Sequence, residues 1–170
     1  MTKKLIKHII DVAIENPRFM YQYKDELRYF VTDGHRVVRY SEELKTNPQL
    51  TVNAHDNLIR NVGEHLKKAD NCVAYELPDK ETIKAGINEV AGRAYSVKVA
   101  WGNDKFAVNA RYLLKAMEAL NAKICYIDER NPSRTGIFLY ENDDLQSDVY
   151  EMILPVLKSK YPDKTGFWSI

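Results

Sequence analysis

The 170-residue chain has only two cysteines, almost no net charge and no long hydrophobic run. Cys72 and Cys125 form no CxxC pair and no Cys/His cluster, so we expect reduced thiols rather than a disulfide or metal ligands. The balance of 25 Lys+Arg against 24 Asp+Glu argues against a bulk polycationic nucleic-acid binder, although it is compatible with a local basic face. No apolar run approaches the roughly 18 residues of a membrane span, and the stretch after Lys3-Lys4 is too short and too charged for a signal peptide. We therefore expect a cytoplasmic protein.

The sequence also lacks the spacings of common metal and cofactor sites. It has no phosphate-binding glycine loop, and His55 and His65 stand ten residues apart on one predicted helix, too far for joint metal ligation. The pair Asp143-Asp144 is typical of a solvated hairpin turn. We expect neither a metal nor a cofactor.

Motifs for catalysis are equally scarce. Neither GxSxG nor HExxH occurs in the chain. Asp33, His35 and Arg36 stand close together in a way that would suit acid–base chemistry. However, Asp33-Gly34 is also a standard turn pair, and no nucleophile partner for His35 is evident. The sequence therefore predicts a protein that is not an enzyme. An enzyme that uses Asp33, His35 and Arg36 remains an alternative hypothesis.

The residues that are present describe an ordinary globular domain, with 45% hydrophobic and 29% charged residues. Leu5, Ile6, Ile9, Ile10 and Ala13 recur at helical spacing and predict an amphipathic first helix. A hairpin and a second tight turn at Asp33-Gly34 follow, and we expect a left-handed backbone at Gly34. The further elements predicted are helices near 58–66 and 79–90, a strand near 95–101, a helix capped by Asn109, strands at 123–128, 136–140 and 148–154, and a tail from residue 159 with the aromatic pair Phe167-Trp168. This order predicts an α+β fold with a largely antiparallel sheet.

Three segments of the chain are similar to one known family. Residues 27–37, with the turn Thr-Asp-Gly-His-Arg, resemble a strand–turn–strand in the middle domain of the bacterial DNA polymerase III β sliding clamp. Residues 108–120 resemble a helix of the last clamp domain, and residues 149–156 resemble the closing strand of the family. The three segments occur in family order, each on the expected type of element.

The resemblance implies a DNA-clamp, or processivity-fold, domain in which helices pack on antiparallel sheets. We expect one clamp-like domain over residues 1–158, an inserted helical segment over about 45–92, and a C-terminal tail over 159–170. A family chain has three domains and about twice this length, so the matching segments are merged here into a single unit. The tail has three possible fates: it occupies a neighbour's pocket, packs on its own domain or stays loose.

The resemblance also implies a hydrophobic pocket that takes short peptides from polymerases and other partners. The matching pocket residues are Thr32, Gly34, His35, Arg36, Val37, Asn109, Tyr112, Met152, Ile153, Leu154, Pro155 and Val156. A face towards duplex DNA, contacting phosphates without reading sequence, would draw on Lys3, Lys4, Lys7, Arg111 and Lys115.

Two hypotheses follow from the resemblance. The first is a sliding-clamp-like accessory of DNA replication, a processivity factor that assembles as a homo-oligomer around duplex DNA and binds polymerase-type peptides. The second is a single-domain protein-binding module of clamp type that does not encircle DNA.

Overall fold

The computed structural model describes residues 1–15, 21–25, 28–41, 72–90, 98–101, 106–128, 130, 136–155 and 167–169. Within these ranges the chain forms three α-helices and ten strands, which confirms the α+β class. The helices are α1 (Lys3–Glu15), α2 (Lys80–Val90) and α3 (Ala110–Leu120). The strands are β1 (Tyr21–Asp25), β2 (Arg28–Thr32), β3 (Arg36–Tyr40), β4 (Val73–Glu76), β5 (Lys98–Trp101), β6 (Phe106–Asn109), β7 (Ile124–Ile127), β8 (Ile137–Tyr140), β9 (Tyr150–Ile153) and β10 (Phe167–Ser169).

Seven of these strands form one sheet in the order β1-β2-β3-β9-β8-β7-β4. Every neighbouring pair in this sheet is antiparallel, as the sequence predicts. The decisive long-range pairing joins β3 to β9, with Arg36 opposite Ile153 and Val38 opposite Glu151. This pairing places the β2–β3 turn beside the end of β9.

The first helix forms as its periodicity predicts. Leu5, Ile9, Val12 and Ala13 are buried, whereas the lysines of its first half are exposed. The hydroxyl of Thr2 accepts a hydrogen bond from the Leu5 N–H at 3.2 Å and so satisfies a donor of the first turn. The helix therefore presents one apolar face to the sheet.

The predicted cap of α3 is also confirmed. The Asn109 side-chain oxygen accepts hydrogen bonds from the N–H groups of Arg111 and Tyr112, at 3.0 and 3.4 Å. Asn121 ends the helix in a left-handed conformation, with φ of 54°. Leu113 and Leu120, which are fully buried, belong to the core that lies between the helices and the sheet.

The two faces of the sheet bury different residues, because successive side chains of a strand point to opposite sides. On β3, Val38 and Tyr40 join the core that contains the helix residues, and on β9 Ile153 does the same. A second cluster on the opposite face contains Phe30, Val37, Phe138, Tyr140, Tyr150 and Met152. The seven-stranded sheet therefore carries a buried apolar cluster on each face.

Three strands, β4, β6 and β10, were not predicted from the sequence. β4 lies within the segment expected to be a helical insertion and pairs with β7 at the edge of the sheet, so the described part of that insertion, from residue 72, is strand followed by α2. β6 precedes α3 and pairs with β5. The helix predicted near 58–66 and the boundary at residue 158 lie outside the described residues.

The aromatic pair Phe167-Trp168 belongs to β10, which pairs in parallel with β5 in a separate three-stranded sheet of order β10-β5-β6. Residues 167–169 of the tail thus pair with a strand of the same chain, and residues 159–166 lie outside the described part of the structure. No disulfide joins Cys72 and Cys125. Burial raises the pKa of the Cys125 thiol to about 12, so this side chain stays protonated at neutral pH.

No helix within the described ranges combines the length and the apolar character that crossing a membrane requires.

Candidate functional site

The β2–β3 turn is held by the short polar side chains that its sequence supplies. The Thr32 hydroxyl accepts a hydrogen bond from the Gly34 N–H at 3.0 Å and donates one to the Arg36 carbonyl at 2.6 Å. One carboxylate oxygen of Asp33 accepts the N–H groups of His35 and Arg36, at 2.9 and 3.0 Å. Gly34 has φ of 89°, which confirms the expected left-handed conformation.

This turn is tied to the end of β9. The Leu154 N–H donates a hydrogen bond to the His35 carbonyl at 2.9 Å, one step beyond the last β3–β9 pair. The bond leaves Leu154 and Pro155, both half-buried, next to the exposed His35. Two of the three segments that resemble the clamp family therefore meet in space.

The third segment arrives through Tyr112 on the first turn of α3. The Arg36 guanidinium carbon lies 4.2 Å from the centroid of the Tyr112 ring, in the geometry of a cation–π contact. The His35 ring stacks on Tyr112, with centroids 6.4 Å apart and an angle of 29° between the planes. We call His35 and Tyr112 the aromatic platform; the Leu154 side chain packs against the second cluster, on the opposite face of the sheet.

Arg36 itself is completely buried and surrounded by carboxylates. Its Nε lies 2.8 Å from Asp33 Oδ2, its Nη2 lies 2.6 Å from Glu15 Oε2, and its Nη1 lies 3.7 Å from Glu151 Oε1. The other oxygen of Glu151, Oε2, lies 2.5 Å from Nε2 of the buried His8. A cluster of buried charged groups therefore lies directly beneath the aromatic platform.

These charges act on the protonation of the neighbouring groups. Burial by itself lowers the pKa of Arg36, but the carboxylates of Glu151, Asp33 and Glu15 outweigh burial and raise the pKa above its ordinary value. Arg36 is therefore a permanent cation. Burial, with the carboxylates of Asp33 and Glu15, raises the pKa of the Tyr112 hydroxyl, so the phenol stays neutral.

The structure places the expected pocket residues at very different depths. His35 is exposed, and Gly34, Asn109, Tyr112, Leu154 and Pro155 are half-buried. Five are buried, namely Thr32, Arg36, Val37, Met152 and Ile153, and Val156 lies outside the described residues. The accessible part of the expected site is the aromatic platform with Gly34, Asn109, Leu154 and Pro155.

The strand residues of the expected pocket also divide between the two faces of the sheet. Val37 and Met152 belong to the second cluster, whereas Ile153 belongs to the core beneath the helices. Arg36 lies on the helix side as well, against Tyr112. Because neighbouring residues of a strand point in opposite directions, a continuous run of them does not line one pocket.

Sequence reasoning missed His8, Glu15 and Glu151. Two signals were present: His8 shares the apolar helix face with Leu5 and Val12, and Glu151 interrupts an otherwise apolar buried strand. A charged or titratable side chain in such a place requires a partner, because burying it alone costs several kcal/mol. The partner of His8 is Glu151, and Glu151 also faces Arg36; each of these partners is distant in sequence.

The residues expected to face DNA are exposed. Lys3, Lys4 and Lys7 lie on α1, and Arg111 and Lys115 lie on α3. Lys115 Nζ is 3.5 Å from Glu15 Oε2, which links the two helices and offsets part of the positive charge of Lys115. Both helices bury side chains in the core on the same side of the large sheet. In the described part of the chain, no group of three or more His, Cys, Asp or Glu side chains has the arrangement of a metal site.

Comparisons with family models, curated proteins and solved structures yield a weak structural similarity. No family model matches the chain. No curated protein matches it either. Among solved structures, the chain is similar to the Helicobacter pylori β clamp in its crystal structure with a DNA ligase peptide, at 13% identity and a TM-score of 0.33. The alignment covers 76% of this chain and 40% of the clamp chain. A likeness at this level does not establish a common fold, so membership of the clamp family stays a prediction.

Proposed function

We propose that this protein is a clamp-like peptide-binding module and that the aromatic platform is its binding site. The observation that carries the proposal is the meeting of three segments that are far apart in sequence. The Leu154 N–H reaches the His35 carbonyl at 2.9 Å, and the His35 ring stacks on Tyr112. The resemblance to the clamp family implies that these same three segments line one pocket.

The chemistry of the platform suits an apolar peptide. The rings of His35 and Tyr112 offer flat surfaces on which an apolar side chain can pack. Pro155 has no N–H, so it cannot donate a further ladder hydrogen bond beyond that of Leu154. The His35 ring nitrogens and the Tyr112 hydroxyl are the polar groups that would orient a bound chain.

The burial and hydrogen bonding of Asp33 support peptide binding rather than acid–base catalysis. Its carboxylate is 1% exposed and accepts two backbone N–H groups as well as the Arg36 side chain. Arg36 is also buried. Of the three residues that suggested an acid–base group, only His35 is open to a ligand.

The double substitution Tyr112→Ala with Pro155→Ala tests the proposal. The probe is a fluorescently labelled DNA ligase peptide of the kind bound by the H. pylori clamp, followed by fluorescence anisotropy. We expect binding by the wild-type protein and at least about tenfold weaker binding by the variant, because a tyrosine at the centre of an interface typically contributes the most affinity.

A matched control replaces the same residue types at the far edge of the sheet. Tyr75 and Pro78 are half-buried near β4, so Tyr75→Ala with Pro78→Ala should leave peptide affinity unchanged. Thermal melts establish that both variants are folded at the temperature of the measurement. Wild-type protein that binds the peptide no better than a scrambled one would refute the proposed function.

The exposed cations favour a second candidate, a ring around duplex DNA. α1 and α3 lie on the same side of the large sheet, and together they present Lys3, Lys4, Lys7, Arg111 and Lys115 to solvent. Helices carrying such cations suit contacts with phosphates that do not depend on sequence. In this case the module would act as one subunit of a replication clamp.

The solution mass distinguishes the two candidates. We expect light scattering after gel filtration, at low salt and low micromolar concentration, to show a monomer or dimer of the 19.7 kDa chain if the protein is a module. A mass near six copies would instead support the ring, because six clamp-type domains close a circle in the family that the sequence resembles. The second result would be followed by binding to circular DNA.

A further inference from the structure

We infer that Glu151 is a positioning residue for the aromatic platform: through Arg36 it holds the ring of Tyr112 in place, and His8 in turn holds Glu151. This inference rests on the proposed function, since it concerns the shape of the same site. Neither Glu151 nor His8 is among the expected pocket residues. Both side chains are buried.

The contacts form a continuous path through four elements. His8 Nε2 on α1 lies 2.5 Å from Glu151 Oε2 on β9, and Glu151 Oε1 lies 3.7 Å from Arg36 Nη1 on β3. The Arg36 guanidinium carbon lies 4.2 Å from the ring centroid of Tyr112 on α3. His35 stacks on the same ring at the surface.

The guanidinium of Arg36 is fixed by hydrogen bonds from Nε to Asp33 and from Nη2 to Glu15, whereas Nη1 lies 3.7 Å from Glu151, beyond hydrogen-bond distance. Nε faces Asp33, Nη2 faces Glu15 and Nη1 faces Glu151. A planar group with two hydrogen-bonded partners and a third carboxylate beside it cannot rotate without losing at least one hydrogen bond. The orientation of this plane determines where the Tyr112 ring packs.

Glu151 is the most deeply buried of these three carboxylates. Its side chain is fully buried, whereas that of Glu15 is 35% exposed and also faces Lys115. Asp33 is buried too, but its carboxylate is already committed to the backbone of the turn. In a buried site water does not compensate for a lost charge, so a change at Glu151 is passed to Arg36 rather than absorbed by solvent.

The test replaces Glu151 by Gln, which keeps the size of the side chain and removes its charge. The first measurement is the position of the Tyr112 ring resonances in the NMR spectrum of the free, tyrosine-labelled protein, assigned with Tyr112→Phe. The second is affinity for the DNA ligase peptide. We expect the Tyr112 resonances to move and affinity to fall about three- to thirtyfold, while the protein remains folded.

The chain offers a matched control on the other face of the sheet. Arg39 lies 5.2 Å from the ring centroid of Tyr150 and is paired with Asp148 at 2.5 Å, so it repeats the arrangement of cation, ring and carboxylate. Asp148→Asn should leave both the Tyr112 resonances and peptide affinity unchanged. A shift of Tyr112 as large in Asp148→Asn as in Glu151→Gln would show a general loosening and overturn the inference.

The two measurements separate this inference from the proposed function. Unmoved Tyr112 resonances in Glu151→Gln overturn the positioning role, whatever happens to the affinity. Moved resonances in a protein that never binds peptide support the positioning role and refute the proposed function alone. If Glu151→Gln does not fold, His8→Gln provides the same measurement with a milder change, and unmoved Tyr112 resonances in that variant overturn the inference.

Discussion

Replacing Arg36 by Met is expected to lower the free energy of unfolding by about 3–5 kcal/mol. Methionine fills much of the space of the arginine stem but leaves Asp33 and Glu151, which are 1% and 0% exposed, without a cation. Removing one partner of a buried ion pair is costly because the remaining charge has neither water nor a counter-ion. Urea denaturation at neutral pH, followed by circular dichroism, measures the loss.

Arg39→Met is the matched control for this prediction. Arg39 also contacts a tyrosine ring and a carboxylate, but its partner Asp148 is 59% exposed. Because solvent stabilises the carboxylate that remains, we expect a loss of about 1 kcal/mol or less from the ion pair. Equal losses in the two variants would contradict the view that the cluster around Arg36 is special, and so would a loss in Arg36→Met below about 1 kcal/mol.

Leu113→Ala should have an effect of similar size, about 2–5 kcal/mol, for a different reason. Leu113 is fully buried on α3, in the core that α1 and the sheet share. Truncation removes apolar contacts and leaves a cavity that the surrounding strands fill only in part. The same urea titration provides the measurement.

The neighbouring residue serves as the control, since Leu114→Ala makes the identical chemical change in the same helix. Leu114 is half-buried and packs at the margin of the core, so we expect a clearly smaller loss. Any gain in helix propensity is common to both variants and cancels in the comparison. If the two losses were equal, the orientation of α3 against the sheet would be wrong.

Features of the fold that depend on interactions between residues close together in the chain could be predicted from the sequence. The Asn109 side chain caps α3 through N–H groups two and three residues away, and the Asp33-Gly34 turn closes within four residues. Such features depend on the chain near them and can be predicted from sequence. β4 was missed because Val73 and Ala74 are exposed on an edge strand, and the segment shows no alternation of apolar and polar residues.

The candidate site divides in the same way. The sequence pointed to His35, Tyr112 and Leu154, and the structure stacks the His35 ring on Tyr112 and joins the His35 carbonyl to the Leu154 N–H. Nothing in the sequence indicates that Arg36, which was expected to line the pocket, is instead buried beneath the aromatic platform. Whether a strand residue faces the ligand, the helices or the opposite cluster depends on which strand lies beside it.

The sequence by itself determined α1, α3, the turn at Gly34 and the α+β class, because periodicity, capping and turn chemistry act over a few residues. Only the tertiary structure decided that β3 pairs with β9 and that β10 joins β5. The β3–β9 pairing lies beneath α1 and α3, and together these elements bring His8, Glu15 and Glu151 to Arg36. Contacts between residues so far apart in the chain produce no local sequence pattern, because the sequence around one residue does not identify its partner.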